Sequence, residues 1–375
     1  MVSHGAQSGY AGSIRRIVRT CIVMGVGMIL FASAVFAKGR ILAVGNQCMQ
    51  YSDGSWRLVA EGPIFPSSVH FASPSDIFLA VSKDSPPRAG VKIPAGCGWA
   101  RWDPATDSIV PLPGTEKMKP RQIMPNKTVY YVEYRFHGDV LYEEKPGGKR
   151  TLLHSSRGMS SFEYAPDGSH VYSIVPAMGG KESPYFSDWV IGSKTTLYLT
   201  RSKGKPKAIV TGDCIRDARL VANGAYAVFW EAGPVDMQGK TKAWRLRTVR
   251  LSDGAVTTVA DVVDNLMGSR GVPEEFWAFQ GQPWIVHVAS LKASKKGPRE
   301  YVVYNVETGT RSSFTLAAGD RLYKYGGREY NMLLFHPYLV AKRGDSLVVL
   351  TVPDLNTVLE APLPTFYFDA AMYLP

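Results

Sequence analysis

Short stretches in which apolar and polar residues alternate run along the chain, separated by turns rich in Gly, Pro, Asp and Asn. Long amphipathic helical stretches are missing. Alternation with a period of two predicts half-buried strands, and the turn residues predict hairpins. The hairpins recur in a fixed order. The clearest first-type hairpin is SFEYAPDGSHVYSIV, Ser161 to Val175, where Pro166-Asp167-Gly168 turns one strand into the next. Weaker copies are SVHFASPSDIFLAV from Ser68, RQIMPNKTVYYVEY from Arg121, ARLVANGAYAVFW from Ala218, EFWAFQGQPWIVHV from Glu275 and NMLLFHPYLVAK from Asn331. After a variable loop, each is followed by a second hairpin: ARWDPATDSIVPL, VLYEEKPGGKRTLL, TLYLTRSKGKPKAIV, LRTVRLSDGAVTTV, YVVYNVETGTRSSF and VVLTVPDLNTVLEA.

Two hairpins in about 45 residues describe one four-stranded blade of a β-propeller. Six complete units are present, and the ends supply a seventh. A lone hairpin, ILAVGNQCMQYSDGSWRLVA, turning at Ser52-Asp53-Gly54-Ser55, precedes the first unit, and TFYFDAAMYLP follows the sixth. Pairing these ends predicts an all-β fold of seven four-stranded blades whose termini share one blade. Closing the ring removes exposed sheet edges. The first-type hairpin resembles the WD40-like repeat of TolB-type propellers, in which an aromatic or apolar residue precedes Ser-Pro-Asp-Gly and an apolar strand. YAPDGSHVYSIV carries that line, and the other copies are degenerate. The Gly-His and Trp-Asp marks of true WD40 repeats are missing apart from Trp102-Asp103. The resemblance implies an architecture and a tendency to bind partners, and it carries over no catalytic residue.

The N-terminus reads as a secretory signal over residues 1–37, leaving a single propeller domain over 38–375. Arg15, Arg16 and Arg19 precede the uncharged run Cys21 to Phe36, and Val35-Phe36-Ala37 offers the small residues a signal peptidase reads. That run is shorter than the roughly 20 apolar residues of a membrane-spanning helix. An uncleaved N-terminal anchor, with Lys38 and Arg40 just beyond the run, is the alternative. Export to the periplasm is expected, with secretion or anchorage left open. Residues 1–37 hold three of the 43 Lys and Arg and none of the 32 Asp and Glu, so the rest of the chain carries +8. This balance suits an acidic protein face, an acidic glycan, another anionic small molecule or a membrane surface. Nucleic acid is disfavoured, because no nucleic-acid-binding motif is present. Cys48, Cys97 and Cys214 are odd in number and stand in no CxxC, which argues against a zinc site. A Cys48–Cys97 bridge stays open, though no structural disulfide is expected.

In a propeller the connections from the second strand to the third, and from one blade to the next, share one face. Here those connections are the long ones: 83–98, 176–194, 231–242, 262–274, 291–299 and 317–329. Long loops on a rigid scaffold are where binding residues gather. Arg121, Arg157, Arg216, Arg270 and Arg328 lead into the innermost strands and would meet at the channel mouth as an anion site, the planar guanidinium suiting carboxylate or phosphate. The competing reading is that Asp213, Asp217, Glu274, Glu275 and Glu329 pair with them locally. Tyr185, Trp189 and Tyr323 are candidate recognition aromatics on the same face, unless they merely pin the loops. Trp99, Trp102, Trp230, Trp277 and Trp284 fall in strand patterns and read as core, and His170 and His287 as packed. The nucleophile elbow GxSxG, HExxH and the EF-hand loop are all missing, so no catalytic residue, metal site or cofactor is expected. The function expected is non-catalytic binding or scaffolding in the cell envelope. The alternative is a hydrolase or lyase acting on an acidic glycan or similar anion at the channel mouth.

Overall fold

The computed structural model describes residues 39–375 except 62–68, 72–75, 85, 125, 134–139, 156–158, 166, 175–193, 202–203, 234–242, 264–275, 290–296 and 324–335. Residues 41–374 form one compact unit. It contains seven four-stranded sheets, each antiparallel throughout, and the described residues add only one short 3-10 turn, Ala222–Gly224. Six sheets use consecutive strands. In the first blade, for example, Val69–Phe71, Ile77–Ala80, Trp99–Asp103 and Ser108–Leu112 run outward from the axis. The fold is a seven-bladed β-propeller.

The seventh blade joins the chain ends, but the division differs from the expected hairpin. The N-terminal part supplies three strands, Arg40–Gly45, Cys48–Ser52 and Ser55–Ala60, and Phe368–Leu374 adds the innermost one. A second turn at Gly45–Gln47, closed by the Gly45 amide on the Gln47 carbonyl at 2.9 Å, splits what alternation alone reads as one long strand. The Ser52–Ser55 turn forms as expected, with Asp53 and Gly54 both at positive φ (53° and 80°), the left-handed conformation of a tight hairpin.

A further correction concerns the sixth blade. Its innermost strand is Arg321–Leu322, pairing with Lys342 and Ala341, and does not begin at Asn331. Two residues cannot display an alternating pattern, so the apolar run NMLLF drew the assignment away. Arg328 therefore follows this innermost strand in sequence rather than leading into it.

The sheets pack face to face through the apolar side of each strand. Ile41, Leu79, Trp102, Val228, Phe229, Trp244, Val286 and Val349 are essentially inaccessible. Trp230 and Trp277 are also buried, whereas Trp99 and Trp284 are partly exposed. Between the second and third blades the filling is aromatic and polar instead. Tyr130 stacks on Tyr164 at 3.8 Å, Tyr172 lies over Tyr198 at 5.6 Å, and His170 sits among these rings at 2% exposure. His287 is packed too, as expected. Cys48, Cys97 and Cys214 are buried free thiols.

Candidate functional site

Two places gather charge on this scaffold. One is a cleft on the long-loop face. It is built from the start of the Arg299–Asn305 strand, the 317–320 connection with Arg321, the end of the Tyr338–Arg343 strand, and the 363–367 connection into the last blade. Its volume is about 450 Å³, within the range of small-ligand sites. Arg299, Arg321 and Lys342 line it together with Asp320, Tyr323, Phe366, Tyr367 and Phe368.

Local bonds hold the cleft's shape. Asp320 accepts the Gly344 amide at 2.9 Å, and the Leu363 amide donates to the Asp345 carbonyl at 3.0 Å, which fixes both connections to the sixth blade. The Arg321 guanidinium lies 4.8 Å over the Tyr323 ring, which stacks on Phe368 at 4.8 Å. Arg299, Arg321 and Lys342 form no ion pair among the described residues. Three cations thus face a single lining carboxylate, one already engaged by a backbone amide. Tyr367 stands at the rim, 68% exposed, its hydroxyl donating to Asp369 at 2.5 Å.

The second place lies on four consecutive innermost strands, Val69–Phe71, Lys119–Ile123, Met159–Tyr164 and Arg216–Val221. His70, Lys119, Gln122, Glu163 and Arg219 are all buried there, and Arg121 is half-buried. His70 Nε2 bonds the Arg121 carbonyl, and since a carbonyl only accepts, Nε2 carries the proton. Gln122 Nε2 donates to the Tyr164 carbonyl at 3.2 Å, which also accepts Gln280 Nε2. The Leu220 amide donates to Glu163 Oε2. Burial pushes the Glu163 carboxyl up to about 7 although Arg219, the Leu220 amide and Arg121 pull the other way. Burial, reinforced by Arg121 and Lys119, holds His70 neutral. Arg219 falls to about 10, chiefly through burial, and stays charged at neutral pH.

The expected arginine ring is therefore only partly visible. Arg121 sits inside its innermost strand instead of leading into it, and Arg216 opens its own. Arg157, Arg270, Arg328, Tyr185 and Trp189 lie outside the described residues. Tyr323 is not an exposed recognition ring. It is 3% accessible, packs on Phe368, and its carbonyl accepts Trp277 Nε1 at 3.2 Å, so it forms the cleft's wall. Sequence reasoning missed Arg321, Lys342, Glu163 and Arg219. Arg321 lies in a two-residue strand too short to read and pairs with Lys342 of the next strand, and Glu163 and Arg219 alternate with apolar neighbours and so read as solvent-facing.

No family model matches the chain, and no curated protein does. Solved structures match it in fold. An oligogalacturonate lyase in complex with manganese aligns with a TM-score of 0.51 and 13% identity, over 87% of this chain and 86% of its own. A functionally unknown protein from Desulfotomaculum acetoxidans aligns with 0.47 and 9%, over 86% of this chain and 95% of its own. A Mycobacterium tuberculosis puromycin-hydrolyzing peptidase aligns with 0.47 and 13%, over 84% of this chain but 50% of its own. At 13% identity the lyase alignment shows a likeness of fold alone, and no family match supports the TolB-type repeat family.

Proposed function

We propose that the chain is an exported, non-catalytic binding or scaffolding protein of the cell envelope that recognises an anionic ligand or protein partner on its long-loop face. One observation carries the reading: the 450 Å³ cleft where Arg299, Arg321 and Lys342 stand without ion-pair partners among the described residues, beside an aromatic wall. Guanidinium groups bind carboxylate or phosphate through paired hydrogen bonds, and a ring beside them suits a sugar or peptide face. Acidic glycans and acidic protein segments both fit this chemistry. Arg157, Arg216, Arg270, Tyr185 and Trp189 are proposed contributors to the same face.

The test is affinity capture with cross-linking from envelope extract, using residues 38–375 beside an Arg321→Glu/Lys342→Glu variant. Capture of an acidic partner by the wild type, lost in the folded variant, is the expected outcome. It should also weaken with salt, because the screening length falls from about 10 Å at 0.1 M to about 3 Å at 1 M. Equal capture by both proteins would remove the cleft from consideration.

A second reading, a hydrolase or lyase acting on an acidic glycan or similar anion, is favoured by Glu163. A carboxyl near 7 beside Arg219 and Arg121 has the proton affinity of a general acid or base. Glycan turnover abolished by Glu163→Gln would select this reading over the first.

A further inference from the structure

The cations of the cleft are not equivalent. Arg321 and Lys342 are Cα partners in the antiparallel pair of the sixth blade. Side chains of directly opposed residues project to the same face about 5 Å apart, so these two form one double-cation grip. Arg299 begins a strand of the fifth blade, and the third cation is therefore carried on a separate sheet. A ligand that meets both places carries two acidic groups on a body long enough to join them.

Two further lining groups say what that body is. Asp320 gives one carboxylate oxygen to the Gly344 amide and is half-buried, so it repels a ligand made of charged oxygens alone and accepts from one that also carries hydroxyls. At the rim the Tyr367 ring is 68% exposed, yet its hydroxyl is tied to Asp369 at 2.5 Å. A ring held at its tip with its faces open is a stacking surface for a flat, half-apolar body, and Leu363 and Phe366 continue the apolar side of the lining.

An extended peptide gains affinity chiefly from main-chain hydrogen bonds to an open sheet edge. The Arg299–Asn305 strand is paired on both sides, Lys342 lies where its own strand is paired on both sides, and Arg321–Leu322 spans two residues. None of the strands that carry the cations offers such an edge. Recognition rests on side chains, and those present match a sugar that bears carboxylates. We infer that the cleft takes a short run of uronic acid units, an acidic glycan rather than an acidic protein segment. One carboxylate accepts from Arg321 and Lys342, another accepts from Arg299, hydroxyls donate to Asp320, and a sugar face lies on Tyr367. This names the ligand of the cleft and rests on the proposed reading of it as an anion site.

Three probes separate charge from sugar in calorimetric titration of the whole protein: a β-1,4-linked mannuronate trimer, the uncharged mannose trimer, and triglutamate capped at both ends. The mannuronate trimer should bind about tenfold or more tightly than the mannose trimer, and several-fold more tightly than triglutamate. Arg321→Gln should weaken both acidic ligands by about tenfold. Tyr367→Ser should weaken the mannuronate trimer by several-fold and leave triglutamate unchanged, which also reports that the variant is folded. Equal affinity for the mannuronate trimer and triglutamate, both weakened in Arg321→Gln, would keep the anion site and overturn the glycan. Mannuronate binding that neither substitution alters, or equal binding of the charged and uncharged trimers, would overturn it too. Binding of neither acidic ligand would bring down the anion site as well.

Discussion

At the scale of single residues, two buried titrating groups pull stability in opposite directions with pH. His170 is lowered from 6.5 to about 4, mainly by burial and then by His154. Its folded form resists the proton, so its contribution is full above about pH 6.5 and is lost as pH falls toward 4. Each tenfold change in proton affinity is about 1.4 kcal/mol, which makes this roughly 3 kcal/mol. His70, His154, His287 and His336 are lowered too, and act in the same sense. Glu163, raised from 4.5 to about 7, acts the other way, its contribution being present below pH 4.5 and lost as pH climbs through 7. Denaturant unfolding should therefore show stability rising with pH between about 4 and 6.5, because five histidines oppose one carboxyl. In Glu163→Gln the opposing slope is gone and the rise should be steeper. Parallel curves for the two proteins would mean that Glu163 titrates as an ordinary carboxyl.

At the scale of elements, legibility followed strand length and regularity. Turns such as Asp53-Gly54 and Pro166-Asp167-Gly168, flanked by strands of five or six residues, were readable because turn chemistry and alternation agree. The Arg321–Leu322 strand was not, and with it went the cleft's two best cations. The channel cluster was hidden for another reason. Glu163 stands between Phe162 and Tyr164, and Arg219 between Ala218 and Leu220, so a strict period of two reads both as solvent-facing positions, whereas both are buried on innermost strands. The connection between elements can also be probed by substitution. A methyl group on Gly45 would press into the backbone of Tyr367 and Phe368, at 2.5 Å from the Phe368 Cα. Gly45→Ala should destabilise the seventh blade by about 1–3 kcal/mol, the usual cost of overpacking, and lower the melting temperature by a few degrees. An unchanged melting temperature would show that this junction relaxes freely.

At the scale of the whole molecule, the ring depends on eight residues at the far end of the chain. Phe368–Leu374 is the only strand of the seventh blade contributed by the C-terminus, and it pairs with Arg40–Gly45. Phe368, Ala370, Ala371, Met372 and Leu374 are buried, so the segment supplies core as well as closure. Ala371 shares a buried cluster with Val340 and Val349 of the sixth blade, and Ala370 shares one that includes Leu79 and Trp102 of the first, so core on both sides of the seventh blade involves this strand. Removing residues 368–375 would leave the edge of Arg40–Gly45 unpaired and an apolar face without cover. Exposed edges of this kind recruit strands from other molecules. The truncated protein should run as oligomers in size-exclusion chromatography and lose a single cooperative unfolding transition. Adding the missing segment in trans as a peptide should restore the monomer, since the pairing is antiparallel and needs no covalent link. If the truncated chain instead stayed monomeric with an unchanged melting curve, six blades and three strands would be self-sufficient, and the seventh blade's innermost strand would serve a purpose other than closing the ring.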